Sequence, residues 1–155
     1  MFNYSPTTIF GNNQIYLKTM YLHKKPGAMG SNPMYIFSIN ETETHTRVGE
    51  LTLRIGNASC EKKNRELYFW GNIGYGIDPP FRGKGYAVEA IELSKFYAHY
   101  HAMDKIHVVC NVNNAPSIRI VEKAGGVFVN QVECPPEFCD EHDKVPTNNR
   151  YCIYV

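Results

Sequence analysis

The stretch GNIGYGIDPPFRGKGYAVEAIELSKFYA, residues 71–98, decides how the rest of the chain is read. Its start closes the aromatic and apolar run Glu66–Ile77 (ELYFWGNIGYGI), which reads as a strand carrying Gly71, Gly74 and Gly76. Glycine inside a strand weakens it and marks a bulge or a place where a ligand lies against the backbone. After Pro79-Pro80-Phe81 the period changes. From Gly85 to Met103, the residues Ala87, Ala90, Ile91, Ser94 and Ala98 recur at spacings of three and four, a helical face of small residues suited to lying flat on a sheet. Between strand and helix stands Arg82-Gly83-Lys84-Gly85-Tyr86-Ala87. Its glycines let the backbone approach a ligand, and successive N–H groups at a helix start form an anion site reinforced by the helix dipole. Arg82 and Lys84 add positive charge, so a pyrophosphate and hence a nucleotide-like cofactor are implied, although the hexapeptide alone also fits a plain turn. It is not a Walker A loop, because Tyr86 follows Gly-Lys-Gly where Ser or Thr would hold magnesium.

Upstream, Gln14–Leu22 and Met34–Asn40 are short aromatic and β-branched runs that read as strands. Arg47–Ile55 alternates Val48, Glu50, Thr52 and Arg54 with Gly49, Leu51, Leu53 and Ile55, the period of a strand with one face on a core. Downstream, Ile106–Val112 is an apolar strand. Asn113-Asn114 supply cap chemistry for a second helix, Pro116 suits its first turn, and Lys123 before Gly125-Gly126 ends it. Val127–Glu133 and Arg150–Val155 read as a closing pair of strands around a polar, proline-bearing loop. This order predicts the α/β (α+β) class, a mixed sheet with two crossover helices.

The chain length of 155 residues predicts one domain over residues 1–155, burying roughly 70% of its unfolded surface. The 16 basic and 15 acidic residues leave a net charge of +1 without a basic run, which argues against nucleic-acid or anionic-membrane partners. The opening MFNYSPTTIF has no basic or apolar leader pattern and no stretch approaches a membrane span, so a cytoplasmic protein is expected. Five scattered cysteines, an odd number, suit free thiols in a reducing compartment. Cys134, Cys139 and His142, with Cys152 beyond, have irregular spacing for zinc, and no metal is expected. His107 and Cys110 are three apart on a strand, on opposite faces, and form no dyad. His99 and His101 read as solvated helix-terminal residues, and Tyr68, Phe69 and Trp70 as core or sheet-surface aromatics.

Residues 71–98, followed after a strand by NVNNAPSIRIVEKAGGVF, resemble the GNAT superfamily of acyl-CoA-dependent N-acetyltransferases. Arg82–Ala87 fits that family's [Q/R]-x-x-G-x-[G/A] signature, and Asn114, Ser117, Glu122, Lys123 and Gly125 fit its N-x-x-S-x-x-x-x-E-K-x-G element. The likeness is good over about residues 66–130, looser over RVGELTLR and poor over the first 45 residues. It implies a GNAT fold, with a mostly antiparallel central sheet splayed between the strand before the signature and the strand after the first long helix. Acetyl-CoA is the implied acyl donor. Its pantetheine arm would lie in the V against Tyr75, Gly76 and Ile77, and its pyrophosphate on Arg82, Gly83, Lys84, Gly85, Tyr86, Ala87 and Val88. Asn114 and Ser117 would contact the arm, although Asn114 equally serves as a helix N-cap.

The implied reaction is direct attack of a primary amine, on a small molecule or a peptide, in a ternary complex. Many relatives place a general-acid tyrosine where this chain has Val121, and some place a basic glutamate where it has Gly71. Tyr75, Tyr86 or water would then serve the leaving thiolate, or the thiolate would leave unprotonated at a modest penalty, since a thiol is acidic enough. Glu50 is the candidate base, acting through water, with a solvent-facing strand residue as the alternative reading. The family's usual pair of helices after the first strand is shortened or missing, because only the loop-like His23–Pro33 separates two strands. An open cleft or a homodimer that completes the acceptor wall follows. The competing functions are a non-catalytic acyl-CoA-binding or regulatory module, and a phosphate- or nucleotide-binding domain that only shares the signature.

Overall fold

A computed structural model describes residues 2–23, 32–139 and 146–155. Five strands form one antiparallel sheet in chain order: β1 (Ile9–Gly11), β2 (Ile15–His23), β3 (Met34–Glu41), β4 (Arg47–Arg54) and β5 (Ile73–Ile77). A second antiparallel sheet has the order β6 (Lys105–Asn111), β8 (Thr147–Tyr154), β7 (Val127–Glu133). The helices are α1 (Arg65–Trp70), α2 (Tyr86–Tyr100) and α3 (Ala115–Lys123). The two expected crossovers are present: α2 joins β5 to β6, and α3 joins β6 to β7. Among the described residues no helix is long and apolar enough to cross a membrane.

From Glu50 to Arg54 the alternation along β4 works as its sequence dictates, with Leu51 and Leu53 fully buried while Glu50, Thr52 and Arg54 take the other face; Val48, expected on that other face, is fully buried instead, where the register of β4 on β3 shifts. Tyr35 and Phe37 of β3 share the inner face and pack on Tyr97 of α2, with ring centroids 5.2 and 4.6 Å apart. The small face of α2 is buried as expected, at Ala87, Ala90, Ile91, Ser94 and Ala98. The Ser94 hydroxyl donates to the Ile91 carbonyl at 2.7 Å, which satisfies it inside an apolar contact.

Three expectations need correction. Glu66–Ile77 is not one strand: residues 65–70 form α1, and β5 starts only at Ile73. The run ELYFW is rich in strand-favouring aromatics, but Asn64 accepts the Leu67 N–H at 3.1 Å as an N-cap, and Gly71, at φ 75°, turns the chain out of the helix. Tertiary burial of Leu67 and Phe69 then overrides local propensity. Consequently Tyr68, Phe69 and Trp70 pack from a helix; the Trp70 indole donates to the Phe138 carbonyl at 3.0 Å. The last strand begins at Thr147 rather than Arg150 and lies between β6 and β7, and the short edge strand β1 has no counterpart in the sequence reading. β2 and β3 are direct neighbours, His23 opposite Met34. Of the expected loop His23–Pro33, residues 24–31 lie outside the described residues, as do residues 140–145 of the loop before β8.

The two sheets meet at one joint. Gly71 pairs with Val108 in an isolated bridge, and a Cβ there would fall 2.8 Å from the His107 carbonyl oxygen. Beside it Asn72, fully buried, donates through Nδ2 to the carbonyls of Arg54 (3.0 Å) and Gly56 (2.9 Å) and accepts the His107 N–H (2.9 Å). Its backbone N–H donates to the His107 carbonyl at 2.8 Å. Past this joint no ladder links β5 to β6, so the outer edge of β5 is left facing open space. A second buried polar anchor is Arg150 on β8, which donates to the carbonyls of Tyr68 (3.0 Å) and Ala58 (2.6 Å) and to Asn130 Oδ1 (3.0 Å), with its guanidinium 3.7 Å from the Tyr68 ring centre. It fixes α1 against the second sheet.

Candidate functional site

The space beside β5 is a cavity of about 580 Å³. Tyr75, Gly76 and Ile77 of β5 form one side, and Phe81, Arg82, Gly83, Gly85, Tyr86 and Ala87 form its end. The facing wall is α3, through Asn114, Pro116, Ser117, Arg119, Ile120 and Lys123. No carboxylate lines it among the described residues.

Glycine chemistry shapes the end of the cavity. Gly83 and Gly85 hold φ of 79° and 82°, the left-handed region costly for other residues, and a Cβ at Gly76, Gly83 or Gly85 would have no atom within 4 Å. These are cradle positions that a side chain would fill, and they fit a ligand lying on the backbone. Gly85 caps α2 without a side-chain acceptor, so the first N–H groups of the 15-residue helix carry their partial positive charge into the site. Arg82 Nε donates to the Ile77 carbonyl at 2.9 Å and folds the turn back onto β5.

Tyr75 brings a hydroxyl into the cavity from β5. Its Oη lies 2.8 Å from Ser117 Oγ, and burial pushes its pKa up, so the phenol stays protonated. Val121, fully buried, lies one turn further along α3 from Ser117 and offers no hydroxyl. Asn114 accepts the Ser117 N–H at 3.1 Å as the cap of α3, and it also lines the cavity. Tyr86 also lines the cavity, but its hydroxyl donates to Glu41 at 2.7 Å, and that bond raises its pKa.

Other predicted positions stand apart. Lys84 turns away from the cavity to Glu41, 3.5 Å off, and with Tyr86 borders a smaller cavity of about 320 Å³ that also contains Asn13, Gln14 and Glu43. Val88 packs against the core. Glu50 pairs across the ladder with Gly76 while its neighbour Leu51 pairs with Tyr75, so its side chain lies on the opposite sheet face, 3.2 Å from Arg47 and half exposed. Gly71 is outside β5, so the position counted for a strand glutamate is not on the strand. Sequence reasoning missed Phe81, Pro116, Arg119, Ile120 and Lys123; the i, i+4 spacing of Arg119 and Lys123 on α3 was the available signal.

His101 is not a solvated terminus. Its Nε2 lies 2.7 Å from the Tyr35 hydroxyl and its ring stacks on Phe2 at 4.8 Å, and burial lowers its pKa. His99 is exposed. Of the zinc candidates, His142 lies outside the described residues, and Cys139 donates to the Cys134 carbonyl at 3.1 Å. The five cysteines form no disulfide, and no group of three His, Cys, Asp or Glu able to hold a metal occurs among the described residues.

The sequence profile of the acetyltransferase (GNAT) domain matches residues 12–127, from the turn before β2 to the start of β7. The chain belongs to the GNAT acetyltransferase family. The match reaches well into the first 45 residues, where the resemblance read from the motifs was poor. No curated protein sequence matches. Solved structures share the fold. A GNAT-family acetyltransferase from Bacillus anthracis aligns at TM-score 0.60 with 21% identity, over 77% of this chain and 65% of that one. The microcin C7 self-immunity acetyltransferase MccE, solved with acetyl-CoA and AMP, aligns at 0.60 with 17% identity, over 79% and 61%. A Salmonella typhimurium acetyltransferase that modifies the N-terminal serine of ribosomal protein L7/L12 aligns at 0.60 with 15% identity, over 79% and 64%. The chain thus spans just under two thirds of each of these structures.

Proposed function

We propose that this GNAT member is an N-acetyltransferase that moves an acetyl group from acetyl-CoA to a primary amine of a small molecule or peptide. The observation that carries the reading is the convergence of an unpaired β5 edge, a glycine turn opening an uncapped helix, and the facing wall of α3 around one cavity. Acetyl-CoA supplies the activated thioester. The N–H groups from Gly83 to Val88 hold pyrophosphate, the edge of Tyr75, Gly76 and Ile77 pairs with the amides of the arm, and Asn114 and Ser117 position it from α3. Backbone N–H groups on the β5 edge polarise the carbonyl, and Tyr75, kept protonated by burial and oriented by Ser117, donates its proton to the departing sulfur. Glu50, across the ladder from Gly76 on the other sheet face, takes the amine's proton through water.

The direct β2–β3 neighbourhood leaves that other face without a helix pair between these strands among the described residues, which supports an open acceptor side or one completed by a second subunit. The reading takes residues 1–155 as one catalytic domain, cytoplasmic and independent of metal. Thiol release from acetyl-CoA with a panel of small amines and peptides tests it. Turnover with any of them supports the enzyme; CoA binding with no turnover on any supports the non-catalytic module, which the apolar Val121 favours. ATP stabilising the protein while CoA does not would assign a nucleotide-binding domain instead. An unchanged pH–rate profile in Glu50→Gln would remove Glu50 from the mechanism.

A further inference from the structure

The face of the first sheet turned away from α2 is the side from which an amine approaches Glu50 and the β5 edge. Register places Glu50 opposite Gly76 in one row of that face, Thr52 opposite Gly74 in the next, and Arg54, Met34 and His23 side by side in the third. Glu50 pairs with Arg47 at 3.2 Å, and the Thr52 hydroxyl reaches the Gly74 carbonyl at 3.4 Å. Arg54 is different: among the described residues its guanidinium makes no ion pair within 4.0 Å and has no hydrogen-bond acceptor. It lies over the Trp70 ring, 5.6 Å from its centre, a contact with the aromatic face that consumes none of its N–H donors. Nε is wholly buried, whereas the side chain as a whole is only half-buried, so the outer nitrogens of the fork stay open. Burial works against this charge, and the field of Glu66 offsets only part of that cost. Two more side-chain nitrogens, His23 Nε2 and Asn32 Nδ2, are buried without a partner at the same end of the sheet, Asn32 standing two residues before β3. Buried polar groups are ordinarily satisfied, and nitrogen donors left over beside a guanidinium are satisfied by an anion.

We propose that Arg54 binds a carboxylate of the acceptor, so that the protein prefers amines carrying an acidic group over their neutral counterparts. This rests on the acetyltransferase reading, with the amine arriving on this sheet face. Along β4, Arg54 lies about 7 Å beyond Thr52 and about 14 Å beyond Glu50. An amine poised beside Gly74 and Gly76 therefore reaches Arg54 only through several intervening bonds, which a plain α-amino acid lacks. Rates of thiol release from acetyl-CoA test it with two matched pairs: 6-aminohexanoate against 6-aminohexanamide, and the peptide amide alanyl-alanyl-glutamate against alanyl-alanyl-glutamine. The expected result is kcat/KM at least tenfold higher for the acidic member of a pair, expressed mainly in KM, and a ratio near one in Arg54→Gln. Arg54→Lys keeps the charge without the fork and should retain part of the preference. Raising the salt concentration should narrow the native ratio and leave that of Arg54→Gln where it is. The ratio is taken within each protein, so any loss of folded enzyme in a variant cancels from it. The Arg54 site is overturned, and the transferase reading left standing, if no pair reaches tenfold, if Arg54→Gln keeps the native ratio, or if other amines turn over while these four do not. Absence of turnover on every amine overturns both.

Discussion

Replacing Asn72 with alanine removes the three side-chain hydrogen bonds that join β5 to β4 and β6. The backbone bonds of residue 72 survive, but the His107 N–H loses its partner in a fully buried place, and the Arg54 and Gly56 carbonyls each lose a donor. At about 1 kcal/mol net per bond, with the orphaned N–H at the costly end, the loss is about 3 to 4 kcal/mol. For a chain of 155 residues that corresponds to a fall of roughly 10 °C in melting temperature. Urea unfolding followed by circular dichroism should show a lower midpoint with an unchanged slope. Asn72→Asp should be worse, because it aims a carboxylate at two carbonyl oxygens in a buried site. CoA affinity, measured well below the melting point, should also fall, since the joint sets where β5 and β6 part. An Asn72→Ala loss below about 1 kcal/mol, or an Asn72→Asp variant as stable as the native protein, would mean that the Asn72 side chain does not hold the joint.

Gly83→Ala and Gly85→Ala place a Cβ at φ near 80° and into the cradle, so each should cost roughly 1–2 kcal/mol of stability and weaken CoA at least tenfold by calorimetry; native affinity in both would sink the backbone-binding role. Tyr75→Phe should lower turnover by about 100-fold with CoA affinity nearly unchanged, and turnover equal to the native value would clear Tyr75 of proton transfer. Burial pushes His107 down to about 4 from its ordinary 6.5, so the unfolded chain takes up this proton first on acidification. The stability this gives is whole above about pH 6.5 and is lost as pH falls through about 4, a change of about 3 kcal/mol, to which His101 adds in the same direction. His107→Gln should flatten that part of the stability curve, and an equal slope in the variant would contradict it.

Where sequence reasoning worked, a local pattern and the tertiary fold agreed. The small face of α2, the alternation of β4 from Glu50 to Arg54 and the Asn114 cap of α3 each express one period or one capping bond, and each is present. It failed where two propensities competed. The aromatics of ELYFW favour a strand, but Asn64 and Gly71 bracket a helix, and Asn64 was the overlooked signal. Side-chain direction was less legible still. Lys84 belongs to the signature by spacing, yet Glu41, distant in sequence, decides that it faces another cavity. Arg119 and Lys123 share the face of α3 that meets the cavity, but only the meeting of two separate sheets reveals what they face. The joint at Asn72 and the anchor at Arg150 were invisible for the same reason: a lone polar residue in a sequence does not show which distant carbonyls it will satisfy.

The strand order β6-β8-β7 bears on how the protein is made. β6 and β7 have no ladder with each other, so β6, held only at the Gly71–Asn72 joint, and β7 each wait for residues 147–154 before they have a ladder partner. During synthesis β1–β5 can pair in the order they appear, each with the strand just made, and α2 can collapse onto them. The second sheet, whose β6 is the strand from which α3 departs, stays open until β8 arrives. A nascent chain stalled before residue 147 would therefore carry a folded half and two exposed strands, a form expected to depend on chaperones and to be vulnerable to proteases.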